Sequence, residues 1–337
     1  MHEGISHHVD MNSLPRARHS IGLTMGDPSG IGPEICLTIL AEPRSPQAPA
    51  LVLYGDATHL AELAQRLKIP HDPSQWVHTG GEGAYPVGVD HAASGEAAHR
   101  AILKAHSDAM TGHIQAMVTA PISKKALHLA GHPWPGHTEL LAHLANPAQP
   151  PAVRMMLAND QLTVVLDSIH TPLRTAIDAL SVEHLQETIQ IAAQAATQTL
   201  GLAKPRIAVA GLNPHASEGG AFGDEEARLI APAIRAAQAL APHCQMSGPW
   251  PADTVFMRAC KKNPLGQAFD LVVCLYHDQG LIPIKLNGLD DGVNITIGLP
   301  YIRTSVDHGT AFDIAGRGCA SAKSLESAVR LASQWLS

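Results

Sequence analysis

Positive charge is what this 337-residue chain most conspicuously lacks. Its 23 Lys and Arg are outnumbered by 30 Asp and Glu, a net charge of −7 with histidine neutral, and no long basic run offsets the deficit. Sequence-independent nucleic-acid binding needs a concentrated cationic surface, so that class of function is excluded. Small phosphorylated or carboxylated molecules are not, because a few placed cations suffice for them. Cysteine is scarce as well: Cys36, Cys244, Cys260, Cys274 and Cys319 are odd in number, scattered, and form no CxxC. A disulfide scaffold or cysteine-type zinc knuckle is excluded, and a reducing, cytoplasmic setting is expected. No apolar run reaches the roughly 18–20 residues of a membrane helix. The N-terminus has no apolar h-region, so residues 1–19 read as a solvated tail that carries His7 and His8 rather than as a signal peptide.

Histidine is abundant, at 21 residues against four each of Phe, Trp and Tyr. Short apolar runs at 21–25, 51–54, 116–119, 153–157, 162–166, 206–210 and 271–276 read as strands. Helical patterns lie between them. The clearest is 181–200, where Val182, Leu185, Ile189, Ala192 and Ala196 share a face and Ser181 can cap. Others run over 94–111 and from Ser324 to the C-terminus. The alternation predicts an α/β protein with a largely parallel sheet. Residues 158–161 read as a hairpin turn, so some antiparallel pairing is expected. The proline-rich pieces at 43–50 and 146–152 read as surface loops, the second as a boundary between lobes.

Ligands of open α/β sheets bind beyond the carboxyl ends of the strands. His170, His215 and His277 each follow a predicted strand by a few residues. A shared sheet, or a dimer joining two sheets, can bring them together. Three imidazoles around an open position suit a catalytic divalent ion, Zn²⁺ best, with Mg²⁺, Mn²⁺ or Co²⁺ as alternatives. The other reading is three unrelated histidines bonded to backbone, because their spacing matches no local metal motif. Gly136-His137-Thr138-Glu139 is a donor-rich loop opening a helix, either an anion site or an ordinary N-cap at Thr138. Lys285, Asn294 and Arg303 lie in an otherwise apolar, turn-rich stretch and read either as an anion clamp or as surface residues.

Several blocks in order carry a resemblance: IGLTMGDPSGIGPEI at 21–35, TAPISK at 119–124, GHTE at 136–139, GLNPH at 211–215, GPWPADTVF at 248–256, YHDQG at 276–280, GVNIT at 292–296 and IRTSVDHGTAFD at 302–313. Together they resemble the 4-hydroxythreonine-4-phosphate dehydrogenase family of vitamin B6 synthesis. The segments at 26–34 and 308–316 also resemble the isocitrate and isopropylmalate dehydrogenases. The resemblance implies their two-lobed α/β fold rather than a Rossmann domain, and the absence of an early GxGxxG agrees. It implies a tail over 1–19, a first lobe of 20–130 plus 310–337, and a second lobe of 131–309, with homodimeric active sites at the subunit boundary.

The family's metal ligands fall on His170, His215 and His277, the trio singled out from strand ends. Its substrate contacts fall on His137, Thr138, Lys285, Asn294 and Arg303. The dinucleotide segment corresponds to His308, Gly309, Thr310, Ala311 and Asp313. Lys285 is the expected base, and Asp253 and Asp278 support it. The implied reaction is NAD- or NADP-dependent oxidation of a secondary alcohol β to a carboxylate, with loss of CO₂. The expected substrate is a 4-phosphorylated four-carbon hydroxy acid. The alternative is the cis-dihydrodiol of terephthalate. Two departures from the vitamin B6 enzymes bear on that choice: Leu289-Asp290-Asp291 replaces a basic residue, and Trp134 and Trp250 offer a wall for a ring. A metal- or anion-binding protein without turnover is a third reading, disfavoured by Lys285 and the 308–316 segment.

Overall fold

A computed structural model describes residues 19–81, 83–287 and 292–336. The expected tail up to residue 18 and the substitution at 289–291 lie outside the described residues. Among the described residues the strands are β1 (Ser20–Thr24), β2 (Ala50–Gly55), β3 (Trp76–His78), β4 (Ala116–Thr119), β5 (Arg154–Ala158), β6 (Thr163–Leu166), β7 (Arg206–Ala210), β8 (Gln245–Trp250), β9 (Leu271–Cys274), β10 (Val293–Ile297) and β11 (Ile302–Ser305). The helices are α1 (Gly32–Ala41), α2 (Ala57–Leu67), α3 (Ala92–Met110), α4 (Lys124–Leu129), α5 (His137–Ala145), α6 (Leu173–Asp178), α7 (Val182–Gln198), α8 (Ala231–Leu240), α9 (Ala252–Ala259), α10 (His277–Leu286) and α11 (Lys323–Gln334).

The strands form one sheet in the order β3-β2-β1-β4-β11-β10-β5-β6-β9-β7-β8. Both wings are parallel, as the α/β reading expected. Direction reverses at β10, β5 and β6, in the middle of the sheet. The β5–β6 pair is the expected hairpin, and Asn159 N–H donates to Leu162 O across its turn at 3.0 Å.

Strands covered by helices on both faces can be apolar at every position. The triplets Val164-Val165-Leu166 in β6 and Val272-Val273-Cys274 in β9 are completely shielded from solvent. Each such branched side chain contributes about 1.5–3 kcal/mol by leaving water. Helix α7 covers the sheet with Leu185, Ile189, Ala192 and Ala196, which are buried at helical spacing. Its N-cap Ser181 accepts from His184 N–H at 3.2 Å. Val182 is only half-buried at the edge of that stripe.

Strands β10 and β11 were not among the strands expected from sequence, where the stretch around Asn294 and Arg303 read as otherwise apolar or turn residues. They carry Asn294, Thr296 and Arg303 in the sheet's interior. Their polar side chains break the apolar runs by which the other central strands are recognised.

Candidate active site

A cavity of about 480 Å³ opens beside the reversal of strand direction. The ends of β4 and β11 supply Thr119 and the 305–309 segment; β10 supplies Asn294, α5 its first turn, and the loop after β6 His170.

Arg303 dominates one wall. It projects from β11 and is only 3% exposed. One terminal nitrogen donates to Thr296 Oγ1 at 2.9 Å and the other to Thr119 Oγ1 at 2.6 Å. Its Nε is buried without a partner. Burial brings the guanidinium down to about 10, so it stays charged at neutral pH. A buried cation whose hydrogen-bond partners are only neutral hydroxyls carries a large desolvation cost, which an anion in the cavity offsets.

His137 stands beside it as the first residue of α5, with Nε2 buried and unpartnered. Burial, reinforced by the Arg303 cation, holds this imidazole well below its usual range, so the ring is neutral. The N-cap of α5 is Gly136, not Thr138, and it makes no side-chain cap bond. The first-turn N–H groups of α5 thus have no side chain capping them, as at helix ends that receive anions. Thr138 lies one residue further in, its Oγ1 3.4 Å from Thr296 Oγ1.

Lys285, in the last turn of α10, places Nζ 3.3 Å from Asp307 Oδ2, and Asp307 lines the cavity. That ion pair stands at the rim. Asp253 is exposed in the first turn of α9 and does not line the cavity.

His308 and Gly309 face the cavity, and a Cβ on Gly309 would meet open space. The rest of the expected dinucleotide segment leans on the loop before α1. Ile31 N–H donates to Thr310 O at 3.0 Å. Gly30 is required there, since a Cβ would stand 2.8 Å from that same carbonyl oxygen. Ala311 takes a left-handed φ of 44° and Asp313 is exposed. In the same loop Asp27 is fully buried, with Oδ1 accepting from Ser29 N–H at 2.8 Å and Oδ2 unpartnered. Burial, assisted by the nearby Asp90 charge, pushes its carboxyl up to about 6.

The three strand-end histidines follow β6, β9 and β7, which are parallel neighbours, so all three leave the same edge of the sheet. The rings of His170 and His277 lie 5.7 Å apart, centroid to centroid. His277 Nδ1–H donates to Asp278 Oδ1 at 2.7 Å, which leaves Nε2 free as a ligand. His215 is exposed and packs near Phe222 instead. Within one chain the three do not form a group whose ligand atoms all lie within 4.8 Å of one another. The four non-glycine residues from His215 to Glu218 all have left-handed backbone, an uncommon and costly run. Glu226 braces its start, accepting from Leu212 N–H and Asn213 N–H at 2.8 and 2.7 Å.

Neither tryptophan offered as a wall reaches the cavity. Trp250 donates to Ser247 Oγ, packs on Phe269 and receives the Arg258 guanidinium over its face; Trp134 packs against His143. Both fill space between elements. Conversely, Thr119, Lys124 and Asp307 line the cavity and were given no role from sequence. Their signal was membership of the 119–124 and 302–313 blocks.

A parallel-winged α/β sheet, a cleft walled by a buried arginine and a row of strand-end imidazoles suit an α/β protein that binds a small anion. Comparison with known proteins gives the family. Residues 47–332 match the family model described as pyridoxal phosphate biosynthetic protein PdxA, and the chain belongs to that family. It is 46% identical over 331 residues to a 4-hydroxythreonine-4-phosphate dehydrogenase of Desulfosudis oleivorans, covering 94% of this chain and 95% of the relative. It is 44% identical to a D-threonate 4-phosphate dehydrogenase of Salmonella typhimurium, covering 94% and 98%. The crystal structure of 4-hydroxythreonine-4-phosphate dehydrogenase from Klebsiella pneumoniae superposes with a TM-score of 0.83 at 41% identity, covering 93% and 98%. A terephthalate 1,2-cis-dihydrodiol dehydrogenase from Burkholderia xenovorans gives 0.68 at 30%, covering 94% and 98%.

Proposed function

We propose that the chain oxidises a 4-phosphorylated four-carbon hydroxy acid at the alcohol β to its carboxylate, with loss of CO₂ and with NAD or NADP as oxidant. The observation that carries this is the buried Arg303, with its free Nε, beside the unpartnered His137 Nε2 and the first turn of α5. These groups suit a compact anion such as a phosphate. The cavity lining contains no Phe, Tyr or Trp, which favours an acyclic substrate over a dihydrodiol ring.

In this reading Arg303, His137 and Thr138 hold one anionic end, and Asn294 orients the hydroxy-acid chain. Lys285, held at the rim by Asp307, gives up its own ammonium proton to solvent before it accepts the hydroxyl proton. The donor set fits a divalent ion: imidazole nitrogens, with Asp278 orienting His277. His170, His277 and His215 would hold that ion. The 308–313 segment, with its open space at Gly309, would hold the dinucleotide. When bound, the ion supplies Lewis acidity toward the alcohol oxygen and the nicotinamide accepts a hydride. Asp253, exposed outside the cavity, has no direct part in this reading.

A homodimer completes the site in this reading, with one imidazole supplied across the interface. Supporting it, the apolar side chains of Leu173 and Ile177 on α6 and of Ile282 and Leu286 on α10 are exposed on the helices that follow His170 and begin at His277. In this reading the cleft would lie between the lobes expected at 20–130 plus 310–337 and at 131–309.

The test is to mix the protein with each dinucleotide, Zn²⁺ or Mg²⁺, and each candidate acid, and to follow the absorbance of reduced nicotinamide. Turnover of a 4-phosphorylated acid is expected, falling by about 10³-fold or more in His277→Ala. Turnover of the dihydrodiol alone overturns the reading.

A further inference from the structure

Away from the cleft, among the described residues, one other group of side chains converges like a chelate. Glu96 and His99 stand three residues apart on α3, and therefore on one helical face. His132 arrives from the loop that follows α4. Its Nε2–H donates to Glu96 Oε2 at 2.7 Å, and its ring lies 3.6 Å from that of His99, nearly parallel. One ligand atom from each residue lies within 4.8 Å of the other two, and all three are half-buried.

The scaffold beneath them is tight. At Gly95 a Cβ would stand 2.0 Å from Ala126 O, so α3 and α4 meet backbone to backbone immediately beside Glu96. The end of α4 is then turned back, with Ala130 N–H donating to Ala126 O at 3.0 Å and His132 N–H to Leu127 O at 2.9 Å. His132 is thereby aimed at α3 by main-chain bonds, not by its own flexibility. Among the described residues His99 makes its ring contact with His132 and no side-chain hydrogen bond, so its ring nitrogens are not engaged elsewhere.

We propose that Glu96, His99 and His132 form a second, structural site for a divalent transition-metal ion, Zn²⁺ by ligand type. Two imidazoles and one carboxylate are a recurrent zinc donor set, with water completing the shell. Binding displaces the proton now shared between His132 and Glu96. The 2.7 Å contact then opens to the roughly 3.3 Å that tetrahedral ligands keep. Arg100, whose Nε lies 2.7 Å from Glu96 Oε1, stays on the other carboxylate oxygen. The ion ties the connection that leads through Pro135 to His137 onto α3, so it serves the cleft as a brace.

Zinc stoichiometry of the full chain, read by competition with a chromophoric chelator, tests this. A His170→Ala/His277→Ala variant removes the cleft ligands and is expected to retain an equivalent of Zn²⁺ that disappears when His99→Ala is added. A second reading is thermal: Zn²⁺ raises the melting temperature of the double variant, and adding His99→Gln, a substitution of similar bulk, abolishes the rise. The proposal is overturned if the double variant shows no such equivalent and no rise, or if both persist after His99 is replaced.

Discussion

The two sides of the cleft handle ionisable groups in opposite ways. On the side of β11, Arg303 and Asp27 are buried and His137 is half-buried with its Nε2 shielded, and the protein bears the desolvation cost within a single chain. At the β6–β9–β7 edge, His170 and His215 are exposed and His277 half-buried, and the imidazole row stops short of a closed ligand set. Buried charge gives a preformed seat for an anion. Exposed imidazoles cost little during folding and, in the proposed reading, leave completion of the site to association. On that reading the contrast separates the part of the site that folding makes from the part that assembly would make.

The sharpest break of that contrast comes from removing the buried cation without removing its bulk. Arg303→Met is expected to lower kcat/KM by about 10²–10³-fold, mostly through KM, while the melting temperature holds or rises, because an apolar replacement ends the cost of burying charge. Steady-state kinetics with thermal unfolding checks both halves; an unchanged KM contradicts the preformed seat.

Assembly is probed by complementation. His215→Ala and His277→Ala chains are each inactive in this reading. Co-expressed, they are expected to recover about a quarter of the parent activity, because half of the dimers are mixed and each of those has one intact site. A co-expressed pair as inactive as its parts shows that His215 does not reach His277 across the interface and removes the contrast.

A smaller effect follows from Asp27. Its carboxyl rises from 3.8 to about 6 on folding. The folded state therefore binds more protons between those values. Stability falls as pH rises through that window, and the loss persists above it. Asp27→Asn keeps an acceptor for Ser29 N–H and is expected to gain up to about 3 kcal/mol above pH ~6. Urea unfolding from pH 4 to 8 measures it, and an unchanged pH slope in the variant refutes the burial cost.

What could be read from sequence follows the same division. β1, β4, β6, β7 and β9 are short runs of Ile, Leu, Val, Ala and Met that only a covered sheet accommodates, and α7 shows its stripe and its cap. The strand-end position of His170, His215 and His277 was legible because it depends on local order alone. Strands β10 and β11 were not, since Asn294, Thr296 and Arg303 interrupt the apolar pattern by which a covered strand is recognised. The tryptophans misled for a related reason: Trp250 is near the family block in sequence, yet its indole turns toward Phe269 and Arg258. Likewise Thr138 has the chemistry of a cap, but the chain enters α5 two residues earlier, through an extended Gly136.

Arg303 draws its hydroxyl partners from the two strands that flank it, Thr119 on β4 and Thr296 on β10, and Thr296 is also its cross-strand partner. Side chains alternate between faces along a strand, so a slip of one residue in β11 turns the guanidinium to the opposite face. A chain that mispairs there loses, on the proposed reading, its seat for an anionic substrate whatever stability it retains. Correct threading of the central strands and competence for ligand are thus a single event, and phospho-acid capture would report on how faithfully the sheet was zipped.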